Sequence, residues 1–122
     1  MESRVRFLDH KGKKIFLVDC SNCSAEELEK VVPVALPLLM AEPRESVLLL
    51  VDFSGTQFDR RVIERLKPVL VMDRPHLKRS AWVGAENLPK VFHEHLKTFS
   101  QRELPIFKTR EEALDWLVSV EE

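Results

Sequence analysis

The chain has 122 residues, 44% hydrophobic and 32% charged, a globular balance in the size range of a single domain spanning 1–122. A formal net charge of −1 argues against a dedicated nucleic-acid binder, which would carry a basic excess. Two cysteines and an N-terminus charged from its first residues predict no cleavable leader, free thiols and a cytoplasmic setting.

Charge is distributed unevenly. Residues 60–79 gather Arg60, Arg61, Arg65, Lys67, Arg74, Lys78 and Arg79, whereas residues 103–122 are acidic. The plainer reading is of ordinary solvated faces. The sharper one is a basic surface for an acidic partner or an anionic lipid.

In chain order, Val5–Leu8 and Ile15–Asp19 are short apolar runs joined by a polar connection containing Gly12, which predicts a hairpin. Ser24-Ala25-Glu26-Glu27 has the form of a capping box and predicts a helix running toward Met40. Pro33 and Pro37 each remove a helix hydrogen bond, so a kink or early end is expected there. The apolar run Val31–Ala41 is too short to cross a bilayer. Ser46–Asp52 is apolar without alternation, the pattern of a strand buried on both faces. Asp59 is placed to cap a second helix with Val62, Ile63, Leu66, Val69 and Leu70 on one side. Ser80–Val83 predicts a strand ended by Gly84. Asn87 then caps a third helix whose stripe is Leu88, Val91, Phe92, Leu96 and Phe99. Leu104–Phe107 predicts a last strand, and Thr109-Arg110-Glu111-Glu112 a second capping box before a helix with Ala113, Leu114, Leu117 and Val118 on its apolar side.

The predicted order is ββαβαβαβα: an α/β fold with a mixed, mostly parallel sheet, flanking helices and one antiparallel strand. Ligands of open α/β sheets gather beyond the carboxyl ends of the strands. Here that rim is formed by Cys20–Ser24, Phe53–Phe58, Gly84–Asn87 and Lys108–Thr109, and its candidate ligand- or partner-binding residues are Asp52, Ser54, Gly55, Thr56, Asp59, Arg60, Arg61 and Gly84.

Three stretches carry a resemblance: LLLVDFSGTQFD at 48–59, HLKRSAWVGAENL at 76–88 and, most distinctive, ELPIFKTREEALDWL at 103–117. With this element order the chain resembles the SpoIIAA-like proteins, which share the STAS fold of bacterial anti-sigma-factor antagonists and are described as STAS/SEC14-like. The resemblance implies a regulatory module that works by protein–protein contact. In STAS switches a serine at a helix start, in an Asp-Ser-Ser-Gly-like motif, takes the phosphate. Here Asp59 falls at the motif's Asp, and Arg60 and Arg61 stand at the two serine positions, so the phosphate acceptor is missing. Ser54 lies earlier in the loop and does not match it. Lys108 stands where relatives often carry Asp.

Other chemistries compete with plainer roles for the same residues. Cys20-Ser-Asn-Cys23 has the spacing of a redox pair between strand and helix. With the cap at Ser24, however, Cys23 falls outside the helix, and two small half-buried residues are the preferred reading. His10, His76, His93 and His95 make no ligand set with these cysteines, so no metal site is expected. Asp52 and Asp59 suit turn and cap duties better than acid–base chemistry. The loop lacks a phosphate-cradling glycine pattern and a nucleophile elbow. No catalytic residue and no cofactor is assigned.

The prolines and Met40 of the first helix also suggest a lid over a lipid-like ligand, with Val31, Val34, Leu38 and Met40 as its residues. The plainer alternative is a helix packed on the core. The expectation is thus a non-catalytic module binding a protein partner or itself. A carrier or sensor of an apolar ligand, with peripheral membrane contact, is the alternative, and a thiol oxidoreductase the remote one.

Overall fold

A computed structural model describes residues 4–119; Glu121 and Glu122 of the acidic C-terminal stretch lie outside the described residues. The strands are β1 (Val5–His10), β2 (Lys13–Asp19), β3 (Val47–Asp52), β4 (Leu77–Val83) and β5 (Ile106–Phe107), and the helices α1 (Ala25–Met40), α2 (Arg60–Met72), α3 (Lys90–Ser100) and α4 (Arg110–Val118). The described residues form an α/β structure, with one five-stranded mixed sheet and four α-helices. Strand order follows sequence order; β1 is antiparallel to β2, and β2 to β5 are parallel.

This order dictates the layers. Right-handed crossovers between successive neighbours carry every connecting helix to the same face. Helices α1, α2 and α3 accordingly cover one face, where Leu28, Val31, Ile63, Leu66 and Leu96 pack on Phe16, Val18, Leu49, Val51 and Trp82. Helix α4 has no strand to return to and folds beneath, setting Ala113 and Leu117 against Ile15, Leu17, Leu48, Leu50, Ala81 and Val83. Successive residues of β2 and β3 thus alternate between two covered faces, which is why these strands read as unbroken apolar runs. All six residues of central β3 are buried, each large side chain contributing about 1.5–3 kcal/mol.

Local signals agree in most places. The hairpin closes through Lys11 and Gly12, with His10 opposite Lys13. Ser24 caps α1, its hydroxyl accepting from the Glu27 amide while Glu27 accepts from the Ser24 amide. Asp59 accepts from the Val62 amide at the start of α2, and Thr109 from the Glu112 amide at the start of α4.

Three expectations are corrected, and of the kink or early end expected in α1 the early end is absent. Helix α1 does not end early: it continues through Pro33 and Pro37 to Met40. Both prolines are exposed, so the carbonyls they leave unpaired lie toward water, where the loss is small. Asn87 does not cap α3; Pro89 holds that position, and the Asn87 amide donates to the Thr56 carbonyl at 3.0 Å. The predicted stripe of α3 is split, because it is wider than the contact it makes: Leu96 is buried, but Val91 is 69% and Phe99 51% exposed. The last strand is only Ile106–Phe107, because Leu104 adopts a left-handed conformation (φ 49°) and is buried under the helical layer.

Candidate functional site at the strand-end rim

Strands β2 and β3 end identically, in Leu17-Val18-Asp19-Cys20-Ser21 and Leu50-Val51-Asp52-Phe53-Ser54. Parallel register sets Asp19 beside Asp52. Each carboxylate folds its own turn, Asp19 Oδ1 accepting from the Ser21 amide at 3.0 Å and Asp52 Oδ1 from the Ser54 amide at 2.8 Å. Two adjacent strand-end carboxylates repel one another unless a cation lies between them. Arg110, at the start of α4, supplies it: its Nε lies 2.6 Å from Asp52 Oδ2 and its Nη2 3.1 Å from Asp19 Oδ1. The Ser21 hydroxyl donates to Asp19 at 2.6 Å, and Arg4 donates to the Asp19 and Ser21 carbonyls. Partial burial would raise the Asp19 carboxyl, but the hydrogen bonds from Ser21 and Arg110 outweigh it and hold it below its ordinary value.

The loops above this cluster are stitched together. Asn22 donates from its amide to the Ser54 carbonyl (2.7 Å), Gln57 to Cys23 (2.9 Å), and the buried Thr56 hydroxyl to the Cys20 carbonyl (2.5 Å). Glu86 accepts from the Gly55 amide at 2.9 Å. Gly84 (φ +79°) and Gly55 (φ +69°) allow the loops to meet. A Cβ at Gly84 would stand 2.7 Å from the Ser54 Cα, and one at Gly55 would strike the Asn22 side-chain oxygen. The rim is therefore a rigid platform, whose polar groups are largely committed to one another.

Of the residues expected to form one rim, Asp52, Ser54, Gly55, Thr56 and Gly84 come together. Asp59, Arg60 and Arg61 stand farther along, at the start of α2, and the two arginines diverge. Arg61 Nε reaches Glu29 of α1 at 3.2 Å, with Arg65 also near that carboxylate at 3.6 Å. Arg60 instead borders an open groove of about 370 Å³ shared with Glu64, Val91 and His95.

Asp19 and Arg110 are site residues that the sequence reading does not include. The signal was available in the repeated Leu-Val-Asp-x-Ser, which sets equivalent carboxylates at neighbouring strand ends. The capping sequence Thr109-Arg110-Glu111-Glu112 by itself gives Arg110 no role at the rim.

Cys20 and Cys23 are both buried in the core, and the Cys23 amide donates to the Cys20 carbonyl. Burial pushes both thiols up, away from the reactive thiolate. Among the described residues no group of three His, Cys, Asp or Glu side chains is placed to hold a metal ion. Of the proposed lid residues, Val31 is buried against the sheet and Val34 half-buried, while Leu38 and Met40 are 47% and 42% exposed. The four do not share a face. Beneath α1 the void is only about 50 Å³, room for a water molecule or two rather than an acyl chain. No helix among the described residues is long and apolar enough to cross a membrane.

No family model, no curated protein and no solved structure matches this chain.

Proposed function

We propose that the chain is a non-catalytic regulatory module of the SpoIIAA-like, STAS type, acting through contact with a protein partner or a second copy of itself. One observation carries this reading: Val91 (69% exposed) and Phe99 (51%) lie on the outer side of α3, and Val91 and Arg60 border the same groove. Apolar side chains left in water beside an arginine are the composition of a contact surface. The stitched rim supports it, since it fixes the starts of α2 and α3 relative to each other. In this reading Arg60 replaces the phosphate-controlled charge of a STAS switch with a permanent positive one, so binding is constitutive.

The test compares the intact protein with Arg60→Glu and Val91→Asp in co-purification and in sedimentation. Both variants should lose the bound protein or the self-associated species while melting like the parent. An unchanged binding profile in both sinks the reading. Arg61 is the poorer choice for such a test because its substitution also breaks the contact with Glu29.

A lipid-like ligand has one observation in its favour, an open groove of about 380 Å³ between α1 and α2, walled by Leu28, Val32, Leu36, Val62 and Val69. In this second reading the ligand, or a membrane surface, is met from outside rather than swallowed. Flotation with anionic vesicles tests it, and protein left entirely in the unbound fraction rejects it.

A further inference from the structure

Val91 and Phe99 are the two most exposed large apolar side chains among the described residues, at 69% and 51%. They stand two helical turns apart on α3, about 12 Å along its axis, with the exposed His95 midway. Helices α2 and α3 each return from one parallel strand to the next, so they run side by side in the same direction. Arg60, Glu64 and Lys67 recur at helical spacing on the side of α2 that meets this stripe. Near the helix starts, Arg60, Glu64, Val91, Phe92 and His95 border an open groove of about 370 Å³. Towards the helix ends, Lys67 Nζ lies 5.5 Å from the centre of the Phe99 ring. Groove and ring mark the two ends of one trough between the helices.

The main chain decides the shape of an occupant. Within α2 and α3 the amides and carbonyls bond along the helices, so an extended segment laid in the trough would bury its own polar groups unpaired. A helix satisfies its main chain internally and presents apolar side chains every three or four residues, which spans Val91 and Phe99 in about two turns. The charge of the occupant follows from what the trough leaves unmatched. Lys67 Nζ donates to both oxygens of Glu64 at 3.1 Å, and Lys97 lies 3.4 Å from Glu94. The acids flanking the helix starts, Asp59 and Glu86, accept from the Val62 and Gly55 amides. Arg60 and Lys90 are exposed, and neither has an ion pair among the described residues. Helix α3 also begins at Pro89 without a side-chain cap, so its positive end is uncompensated.

We propose that the trough between α2 and α3 receives an amphipathic helix of another protein, its apolar stripe laid on Val91 and Phe99 and its acidic flank on Arg60 and Lys90. The inference rests on the proposed function and names the occupant of that surface. A second copy of this chain is a poor occupant. Helices α1, α2 and α4 turn their main apolar sides to the sheet, and the exposed stripe of α3 carries His95 where an acid would be needed to meet Arg60.

The experiment titrates the intact protein with a helical peptide of about four turns, carrying one leucine stripe flanked by glutamates, and follows backbone amides by NMR. One control peptide has lysines for the glutamates; the other keeps the composition and breaks the leucine period. The acidic peptide should shift the amides of Arg60, Glu64, Val91, His95 and Phe99 and leave those of β1 in place. Its binding should weaken with added salt, and neither control should bind. Arg60→Glu should weaken binding by about tenfold and Val91→Asp by at least as much; both replace exposed side chains, and the amide spectrum of each variant reports its fold. Absence of shifts at millimolar acidic peptide, or equal binding of either control, overturns the proposal on the parent protein alone. Two results overturn it while leaving the proposed function standing: a parent dimer in sedimentation that both variants abolish, or a co-purified protein lost from both variants when the helical peptide does not bind. Co-purification and sedimentation unchanged in both variants remove the proposed function, and this proposal with it.

Discussion

Arg110→Met isolates the electrostatics of the strand-end cluster. Methionine keeps most of the stem and removes the charge. Asp52, whose side chain is 6% exposed, and Asp19, at 23%, would then face each other without a cation. A fully buried pair broken on one side costs about 3–5 kcal/mol. Arg110 is 36% exposed and water screens part of the loss, so about 2 kcal/mol is expected at neutral pH. For a chain of this size that lowers Tm by roughly 6–10 °C. The cost should depend on pH in a defined sense. The Asp19 carboxyl is held below its ordinary 3.8, so its stabilising contribution is complete above that value and is lost as the pH falls through the lower folded value. In the variant Asp19 loses the hydrogen bond from Arg110 that helps hold its carboxyl low, and its protonation relieves the repulsion. The gap between parent and variant should therefore narrow in acid, measured by urea unfolding at neutral pH and below pH 3.8. A gap of the same size at both ends of that range would refute the electrostatic account and assign the loss to packing. Arg110→Lys should fall between the two, because one ammonium cannot bridge both carboxylates as the planar guanidinium does.

Other positions test the rest of the framework. Gly84→Ala should cost about 2–3 kcal/mol in urea unfolding, from the left-handed backbone and the approach of Ser54 together. Arg102→Met should cost about 3–5 kcal/mol. It strands Asp73, where burial already pushes the carboxyl up against the pull of Arg102; Asp73→Leu in the same chain should recover part of the loss in Tm. Leu50→Ala, at a wholly buried position of β3, should cost about 2–5 kcal/mol by the same assay. Cys20 and Cys23 should react with a thiol reagent at neutral pH only as fast as the protein unfolds; rapid labelling of the native protein would reopen a redox role.

Much of the architecture is legible in single segments because the responsible forces are local. The Ser24 and Asp59 caps, the hairpin at Gly12 and the unbroken run of β3 each state their structure within a few residues. The failures arise where distant segments compete for the same groups. Asn87 has the right chemistry for a helix cap but finds the Thr56 carbonyl instead, a partner that exists only after the sheet has formed. Val91 and Phe99 fit a helical stripe, yet α3 lies at the side of the helical layer and presents only part of that stripe to the core.

Asp19, Asp52 and Arg110 are harder to read for a further reason, which also explains their positions. A strand covered on both faces carries no polar alternation, so its hydrophobic pattern hardly distinguishes one register from the next. In β2 and β3 the polar ends must supply that information. Sliding β2 by one residue along β3 would separate Asp19 from Asp52, part both from a single guanidinium, and break the Cys20 amide's bond to the Asp52 carbonyl, 2.9 Å in this register. The repeated Leu-Val-Asp-x-Ser thus encodes register as well as a turn. The cluster at the rim is first a lock on the sheet, and it steadies the starts of α2 and α3, the surface proposed above for a partner.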